Sequence, residues 1–422
     1  MTFASLGLSP ALIRSTEELS YGAPTAVQEA AIPPILAGRD VWASAQTGSG
    51  KTAAFALPLL ERLGAEPAPN RHLPRALVVV PTRELAAQVV DVIEGLGWHQ
   101  SPPLNTCLAV GGVSINPQMM ELRSNVDIVV GTPGRLLDLV EQNALRLAGI
   151  RMLVLDEADK LLSEGFADEL TRLIALLPAN RQSLLFSATF PPAVQQLAEA
   201  MLVDPVALDI DAGAPPDLTV IAQRAIEVDA SARTPLLRHL LETEAWTRVL
   251  VFVASQRDTE HVAGKLQRAG IAASALHGGL SQGTRSKALA DFRSQQLRVL
   301  VATDLAARGL DVAHLPAVVN YDLPRSTADY VHRIGRTGRA SNMGVAVSFL
   351  TAESDVHFAL IERRHGLHIP REQLPGFEPK EPVVSPRDPN GGVKGKRKSK
   401  KDKLREAAAA AAGAARPPEP EE

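Results

Sequence analysis

Residues 45–52, with the sequence AQTGSGKT, restrict the fold of this 422-residue chain more than any other segment. They follow an apolar run at 41–45 and precede the apolar stretch AAFALPLL, so a strand, a glycine-rich loop and a helix are predicted in succession. This is the arrangement of a P-loop, in which backbone N–H groups surround phosphates at a helix N-terminus. A glycine-rich turn formed by chance is the alternative, and the strand–loop–helix context argues against it.

Individual positions of this loop have predicted roles. Lys51 is expected to supply positive charge to the β and γ phosphates, and the Thr52 hydroxyl to ligate Mg²⁺. Ala45 stands where the usual pattern has its first glycine. The predicted nucleotide contacts are Ala45, Gln46, Thr47, Gly48, Ser49, Gly50, Lys51 and Thr52.

Short apolar, β-branched runs alternate with longer helix-like stretches, which predicts an α/β fold with parallel sheets flanked by helices. A Pro- and Gly-rich stretch at 209–217 interrupts the alternation and is typical of a linker. The alternation then resumes without a second P-loop. We therefore predict a first domain at 1–208, a second at 218–370 and a tail at 371–422. The predicted strands are 41–45, 76–80, 128–130, 152–155, 183–186, 248–253, 273–276, 298–302, 317–321 and 345–349.

Charge is distributed unevenly along the chain. Residues 394–405, KGKRKSKKDKLR, contain eight basic residues and one acidic residue, a net charge of +7. Since the whole chain carries −3, the remaining residues carry −10. The composition of the tail predicts that it is mostly disordered. A basic tail on an acidic body predicts contact with a polyanion.

The compartment is predicted from what the sequence lacks. Its single cysteine, Cys107, excludes an intramolecular disulfide. The N-terminus lacks the pattern of a signal peptide, and no apolar run approaches the ~18 residues of a membrane span. We expect a cytoplasmic monomer without membrane contact. His365 and His368 are interpreted as solvated helix-end residues rather than metal ligands.

Residues 154–159, VLDEAD, place three carboxylates at the end of an apolar run. The C-terminal end of a parallel strand beside a P-loop is where Mg²⁺ is held. We expect Asp156 to hold the metal, partly through water, and Glu157 to position and deprotonate an attacking water. Asp159 is left to pair elsewhere. In isolation a helix N-cap explains such a turn equally well, and the P-loop is what favours catalysis.

The loop AQTGSGKT and the turn Asp-Glu-Ala-Asp together resemble the DEAD-box RNA helicase family of superfamily 2, and further motifs follow in order through about residue 365. The resemblance implies two tandem RecA-like domains, with ATP and Mg²⁺ at the site. Residues 21–28, YGAPTAVQ, resemble the Q motif, preceded by the isolated aromatic Phe3. Gln28 would contact the N6/N7 edge of adenine and Phe3 would stack on the base, which favours ATP over GTP. An ordinary N-terminal hydrophobic residue is the alternative for Phe3.

Three further segments of the first half resemble motifs Ia, GG and Ib, which grip the RNA backbone in the family. Each is weak alone, since Thr-Pro-Gly is also a common turn, and their order carries the prediction. Ser187-Ala-Thr189 resembles motif III, which links the ATP state to the grip on RNA. The predicted RNA contacts are Pro81, Thr82, Arg83, Gly111, Gly112, Thr132, Pro133, Gly134 and Arg135. The predicted coupling residues are Asp159, Ser187, Thr189 and His332.

The second half resembles motifs IV to VI. Gln282 and Arg285 match the QxxR element, and the resemblance implies RNA contacts for both and for Thr303, with Asp311 on the ATP ribose. Motif VI, HRIGRTGR at 332–339, holds three arginines that would repel one another without an anion.

A solvated basic turn is the alternative explanation of motif VI. The resemblance makes Arg336 and Arg339 arginine fingers on the transferring γ-phosphoryl group. Because Lys51 lies in the other domain, the site is expected to be complete only when the domains close.

The function implied is that of an ATP-dependent RNA helicase, which couples ATP hydrolysis to local duplex unwinding or ribonucleoprotein remodelling. The alternatives are an ATP-gated RNA clamp or scaffold that rarely unwinds, and a DNA helicase of the same superfamily. RNA of low sequence specificity, single-stranded or in short duplexes, is the expected partner, with RNA-processing or ribosome-assembly proteins. The N-terminal segment and the short body with a basic tail are similar to the bacterial RhlE-type subgroup.

Overall fold

The computed structural model describes residues 1–45, 48–66, 73–163, 165–210, 221–307, 315–338 and 344–380. Within these ranges the chain forms two parallel seven-stranded sheets. The first sheet has the order β3-β4-β2-β5-β6-β1-β7. Its strands are β1 Val41–Ser44, β2 Ala76–Val79, β3 Thr106–Ala109, β4 Ile128–Gly131, β5 Met152–Leu155, β6 Gln182–Ser187 and β7 Val206–Asp209.

Helices cover both faces of the first sheet, as its doubly apolar strands require. Alternate residues of a strand point to opposite faces, so Val78 packs into the cluster under α1–α4 and Val79 into the one under α5–α9. These helices are α1 Pro10–Glu18, α2 Ala26–Leu36, α3 Lys51–Ala65, α4 Arg83–Gly97, α5 Ile115–Glu121, α6 Pro133–Glu141, α7 Ala158–Ser163, α8 Ala167–Ala175 and α9 Pro192–Met201.

The second sheet repeats the topology of the first, with the order β10-β11-β9-β12-β13-β8-β14. Its strands are β8 Ile221–Glu227, β9 Val249–Phe252, β10 Ala273–Leu276, β11 Val299–Ala302, β12 Ala317–Asn320, β13 Gly344–Leu350 and β14 Arg371–Glu372. Its helices are α10 Arg233–Thr243, α11 Gln256–Arg268, α12 Gln282–Arg293, α13 Asp304–Ala307, α14 Thr327–Ile334 and α15 Asp355–His365. In the second sheet β8 occupies the place that β1 has in the first. Strand β1 is followed by the P-loop, whereas β8 is followed by Val228-Asp229, which has no glycine.

The predicted α/β class with tandem RecA-like domains is confirmed, and all ten predicted strands are present within about one residue. Four strands were not predicted: β3, β7, β8 and β14. Three of them, β3, β7 and β14, lie at a sheet edge and pair on one side only. Strand β3 begins with Thr106, β7 ends with Asp209 and β14 is the dipeptide Arg371-Glu372, so none contains a long apolar run. The linker predicted at 209–217 begins inside β7 with Asp209, and 211–217 lies outside the described residues.

The predicted boundary at residue 370 falls short of the end of the second domain. Strand β14 pairs with β8, and Phe377 packs against the core beside His239, with ring centroids 5.3 Å apart. The backbone N–H of Lys380 donates to Asp229 Oδ2 at 3.0 Å. One short strand and one aromatic residue leave too little periodicity for the sequence to reveal this extension. The rest of the predicted tail, 381–422, lies outside the described residues.

Candidate functional site

Several predicted site residues lie at or directly after the carboxyl ends of parallel strands, where open α/β sheets bind their ligands. In the first sheet β1 leads to the P-loop, β2 to Pro81, β4 to Thr132, β5 to Asp156 and β6 to Ser187. Side chains that are far apart in sequence therefore share one edge of the sheet.

The P-loop connects β1 to α3 with a lysine that reaches back across it. Lys51 is only 6% exposed, and its Nζ donates to the carbonyl of Ala45 at 2.9 Å. Gly50 precedes the helix with φ +96°, and a Cβ there would lie 2.5 Å from Gln28 Nε2. Both the left-handed backbone and the missing side chain at Gly50 are therefore required.

Gln28 is buried and links the Q motif to the P-loop. Its Oε1 accepts from the backbone N–H of Thr25 at 2.9 Å, and its Nε2 donates to the carbonyl of Gly50 at 3.1 Å. Phe3 is 5% exposed and belongs to the core, with the ring of Tyr21 edge-on at 6.3 Å. Of these two rings, Tyr21 retains the greater exposure, so the aromatic surface accessible to a base belongs to a residue that the sequence analysis did not select.

The acidic turn begins directly after β5. The backbone N–H of Asp156 bonds the carbonyl of Val79 at 3.1 Å, and the N–H of Glu157 donates to Asp156 Oδ1 at 2.9 Å. Glu157 has φ +52°, a strained conformation for a residue with a side chain. Such strain is typically retained at functional sites, where the surrounding structure holds it.

Burial controls the ionisation of these carboxyls. It raises the pKa of Asp156, and the positive charge of Lys51 partly offsets that rise. Burial, followed by repulsion from Asp156, raises the pKa of Glu157 to about 7, while Lys51 and Arg336 act in the opposite direction. A carboxyl group with a pKa near the operating pH is suited to accept a proton. Arg336 belongs to the second domain, so the charges of both domains meet here.

The predicted coupling residues of the first domain form one hydrogen-bonded unit. Ser187 Oγ accepts from the N–H of Asp159 at 3.2 Å and donates to the carbonyl of Thr189 at 2.7 Å. Thr189 Oγ1 donates to Asp159 Oδ2 at 3.0 Å. The other oxygen of Asp159, Oδ1, is buried and has no hydrogen-bond partner, so this unit retains an acceptor for a further donor.

The predicted coupling residue of the second domain lies near this unit. Burial, followed by the charge of Lys160, lowers the pKa of His332 to about 4, and Asp159 opposes the effect. His332 is therefore neutral near pH 7. His332 in α14 thus experiences the charges of Lys160 and Asp159 in α7.

One arginine of motif VI has a different role from the other described one. Arg333 is 3% exposed and forms bonds of 2.5 and 2.7 Å with the two carboxylate oxygens of Asp304. It also donates to Asn320 Oδ1 at 3.0 Å and lies over the ring of Phe252 at 4.7 Å. The repulsion inferred from three nearby arginines is thus relieved for Arg333 by the half-buried carboxylate of Asp304, without a bound anion.

On the predicted RNA side, the glycine doublet makes room for Arg83. A Cβ on Gly112, which has φ +76°, would lie 1.8 Å from Arg83 Nη1. Thr82 is the N-cap of α4 and accepts from the N–H of Leu85 at 3.2 Å. The loop and the N-terminus of α4 therefore present Arg83 against the glycines.

Arg135 holds the loop that contains the glycine doublet in position. It is 9% exposed, and its guanidinium donates to the carbonyl of Val113 at 2.9 Å and to Gln118 Oε1 at 3.0 Å. Gln118 in turn donates to the carbonyl of Val110 at 3.0 Å. In this structure Arg135 positions the loop that contains the glycine doublet rather than presenting its charge to solvent.

Gln282 and Arg285, whose contact with RNA stays a prediction, meet the first domain in this structure. Arg285 Nη2 lies 2.8 Å from Glu84 Oε1, and Gln282 Nε2 donates to the same oxygen at 3.4 Å. The side chains of Arg285 and Glu84 are 9% and 6% exposed. Burial lowers the pKa of Arg285, and Glu84 opposes this. Glu84 was not selected from the sequence, although a carboxylate within a motif expected to grip phosphate is the signal that could have revealed it.

Several predicted residues are not tested by these contacts. Gln46, Thr47, Asp311 and Arg339 lie outside the described residues. In the part of the chain that is described, no helix is both long and apolar enough to cross a membrane. Nor do those residues contain three His, Cys, Asp or Glu side chains grouped to hold a metal.

Comparisons with known proteins agree with this geometry. The DEAD/DEAH box helicase model matches residues 25–197, and the helicase conserved C-terminal domain matches residues 232–341. The ATP-dependent RNA helicase DeaD of Mycobacterium tuberculosis is 40% identical over 89% of this chain, which spans 66% of that relative's length. The DEAD-box ATP-dependent RNA helicase CshA of Bacillus cereus is 37% identical over 89% of this chain and 70% of its own length.

A solved structure extends the similarity to the arrangement of the two domains. S. cerevisiae Dbp5 bound to RNA and ADP BeF3 gives a TM-score of 0.77 at 32% identity, covering 88% of this chain and 95% of that chain. With matching family models in both halves and the same order of site elements, this chain belongs to the DEAD/DEAH box helicase family.

Proposed function

We propose that this protein is an RNA-stimulated ATPase that uses ATP hydrolysis to unwind short RNA duplexes or remodel ribonucleoproteins. One observation carries the proposal. The rise in the pKa of the buried acid Glu157 is opposed by the positive charge of Lys51 in the first domain and by that of Arg336 in the second domain. A site that draws its base and its phosphate cation from one domain and a second cation from the other is completed by domain closure.

The phosphates of ATP would lie on the N-terminal turn of α3. Lys51 would exchange the carbonyl of Ala45 for the β and γ phosphates. The oxygen donors Thr52 and Asp156 fit Mg²⁺, which prefers few protein carboxylates and retains several waters. When bound, the ion neutralises charge on the β and γ phosphate oxygens.

In the chemical step, Glu157 accepts a proton from the attacking water as the water oxygen bonds to the γ-phosphorus. The bond from that phosphorus to the bridging oxygen breaks, and the leaving oxygen remains on ADP. Arg336 balances the charge on the transferring group, with Arg339 as the second arginine finger. Asp311 is proposed to contact the ribose.

Adenine would be bound by the Q motif. Gln28 can satisfy the adenine edge by releasing its bond to the Gly50 carbonyl, which links base binding to the conformation of the P-loop. We assign the stacking surface to Tyr21 as well as Phe3, because Phe3 is nearly buried. A Tyr21→Ala variant should therefore raise the KM for ATP more than Phe3→Leu does.

RNA would cross both domains beside the glycine doublet. Arg83, Thr132 and the residues after it, together with Thr303, would contact phosphate and sugar, which implies little sequence selectivity. RNA would be distinguished from DNA through its 2′-OH groups. The hydrogen-bonded unit of Asp159, Ser187 and Thr189 would pass the nucleotide state to this surface, with His332 facing it from the second domain.

The proposal is tested by Glu157→Gln. Because the amide cannot accept the proton, RNA-stimulated turnover should fall by about 10²-fold or more while ATP binding persists. Retained turnover would remove Glu157 as the base. Lys51→Ala serves as the contrasting variant and should weaken ATP binding itself.

Strand separation decides between helicase and clamp. Multiple turnovers of ATP with release of a short RNA strand support unwinding, whereas RNA retention without strand release identifies a clamp. Equal stimulation by DNA and RNA oligomers would contradict the assignment to RNA. Cytoplasmic location, action as a monomer and ribosome-assembly partners remain predictions. Cross-linking in cells with sequencing of the bound RNA would identify the RNA substrate.

A further inference from the structure

An exposed apolar pocket lies where α1 and α4 end, on elements that contribute nothing to the nucleotide site at that end. We call it the Trp98 pocket, a cavity of about 350 Å³. Trp98 and Leu19, the C-caps of α4 and α1, are 79% and 46% exposed within it. It is lined by Glu18, Leu19, Asp91, Glu94, Gly95 and Trp98, together with Ser15.

Of the three carboxylates that line this pocket, Asp91 and Glu94 have no ion-pair partner among the described residues, and Glu18 has only a histidine. A helix C-terminus carries a partial negative charge that favours nearby cations. Neither α1 nor α4 has a basic residue in its last turn. Glu18 and Glu94 lie at these negative ends, and His99 Nε2 lies 2.8 Å from Glu18 Oε2. No lysine or arginine within the described ranges lines the pocket.

The apolar surface makes the pocket selective among cations. An exposed tryptophan face is the best aromatic partner for a lysine or arginine head. The aliphatic stems of the same residues can cover apolar surface while their charges stay at the rim. The pocket therefore suits a lysine- and arginine-rich peptide with an occasional apolar side chain, and its carboxylates exclude RNA.

We propose that the Trp98 pocket is the docking site of this chain's own basic segment, residues 394–405, when RNA is absent. The segment carries +7 and includes Lys403-Leu404-Arg405, an apolar side chain between two cations. Residues 381–393 lie between it and the last described residue and can extend to roughly 45 Å. A peptide of +7 opposite two helix C-termini and three carboxylates supplies the cations that both helices lack.

With this docking, the basic segment has two competing anionic partners, the Trp98 pocket and RNA. The same lysines cannot face the pocket and an RNA phosphate backbone at once, so RNA displaces the segment. Only this release depends on the proposed RNA binding. The docking itself does not involve the nucleotide site, so ATP turnover at saturating RNA is expected to be independent of the pocket.

Zero-length cross-linking of the full-length protein tests the contact directly. A carbodiimide at low salt should join lysines of residues 394–403 to Asp91 or Glu94, as identified by mass spectrometry. The yield should fall about fivefold or more in 0.5 M salt, because the contact is electrostatic and exposed, and equally on addition of a single-stranded RNA. Equal cross-linking to Asp168 and Glu199, exposed acids elsewhere on the first domain, would overturn the proposal.

Matched variants and a second measurement complete the test. Asp91→Asn with Glu94→Gln should also weaken cross-linking of the segment to Glu18, the carboxylate that remains in the pocket, whereas Asp168→Asn with Glu199→Gln should leave that cross-link unchanged. Acrylamide quenching of Trp98, obtained by subtracting the Trp98→Phe signal, should be about twofold weaker than in a protein with residues 400, 401, 403 and 405 changed to Gln. Equal quenching would contradict docking. Cross-links between isotope-labelled and unlabelled copies would overturn docking within one chain.

Discussion

The ion pair between Glu84 and Arg285 provides the sharpest test of domain closure. Glu84 lies in α4 of the first domain and Arg285 in α12 of the second, 2.8 Å apart, and both side chains are less than a tenth exposed. In an open form each charge returns to water, so the pair contributes to closure rather than to the folding of either domain.

Removing one partner leaves the other charge buried without compensation, which costs about 3–5 kcal/mol. At about 1.4 kcal/mol per tenfold change, this corresponds to roughly a 10²- to 4 × 10³-fold change in the closure equilibrium. Arg285→Met keeps the length of the side chain and Glu84→Gln keeps its shape. The double variant should recover much of the loss, because no buried charge is left unpaired.

The assay is the affinity for single-stranded RNA, measured with and without ADP–beryllium fluoride. Each single variant should lose affinity with the nucleotide analogue and lose little without it, while urea unfolding is unchanged. Arg293→Met, at an exposed position of the same helix, is the matched control and should behave as the unmodified protein. Equal losses with and without nucleotide, or losses that add in the double variant, would refute closure through this pair.

The remaining predictions concern single positions. Burial raises the pKa of Glu157 to about 7, so this base is protonated at lower pH. The value of kcat/KM for ATP should therefore rise with pH and level off above pH 7. A flat profile from pH 5.5 to 8 would contradict this. Gly112→Ala should displace Arg83, because the new Cβ would lie 1.8 Å from Arg83 Nη1. RNA binding should then weaken about tenfold. Gly134→Ala is the control and should leave RNA binding unchanged, because a Cβ there meets open space. Burial raises the pKa of the Cys107 thiol, so alkylation should follow global unfolding; rapid alkylation of the native protein would contradict that.

Much of this site could be predicted because its chemistry is encoded locally. A glycine-rich loop between a strand and a helix, and a carboxylate directly after a strand, retain their meaning without tertiary contacts. Lys51, Asp156 and Glu157 therefore lie at the predicted sheet edge. The P-loop also requires a parallel sheet, and two sheets with the same strand order were found.

Roles that depend on partners were harder to predict. The residues of motif VI alone do not distinguish Arg333, bound to Asp304, from Arg336, whose charge opposes the rise in the pKa of Glu157. Only the family resemblance singled out Arg336 and Arg339 in the sequence. It also assigned Arg135 to RNA, whereas its guanidinium holds the loop at Val113. The N–H donors of an arginine can bond a carbonyl, a carboxylate or a phosphate equally well, so only its surroundings decide which partner it binds.

The sequence by itself determined the nucleotide loop, the acidic turn, the parallel α/β class and the two-domain organisation, since short-range spacing and apolar runs specify all of these. Only the tertiary structure decided that Glu84 meets Gln282 across a separation of 198 residues, that the second domain continues past residue 370, and that Trp98 lies exposed between two negative helix ends. These depend on which surfaces face each other once the sheets are formed. Contacts between distant segments are selected by packing and desolvation, which no local pattern records.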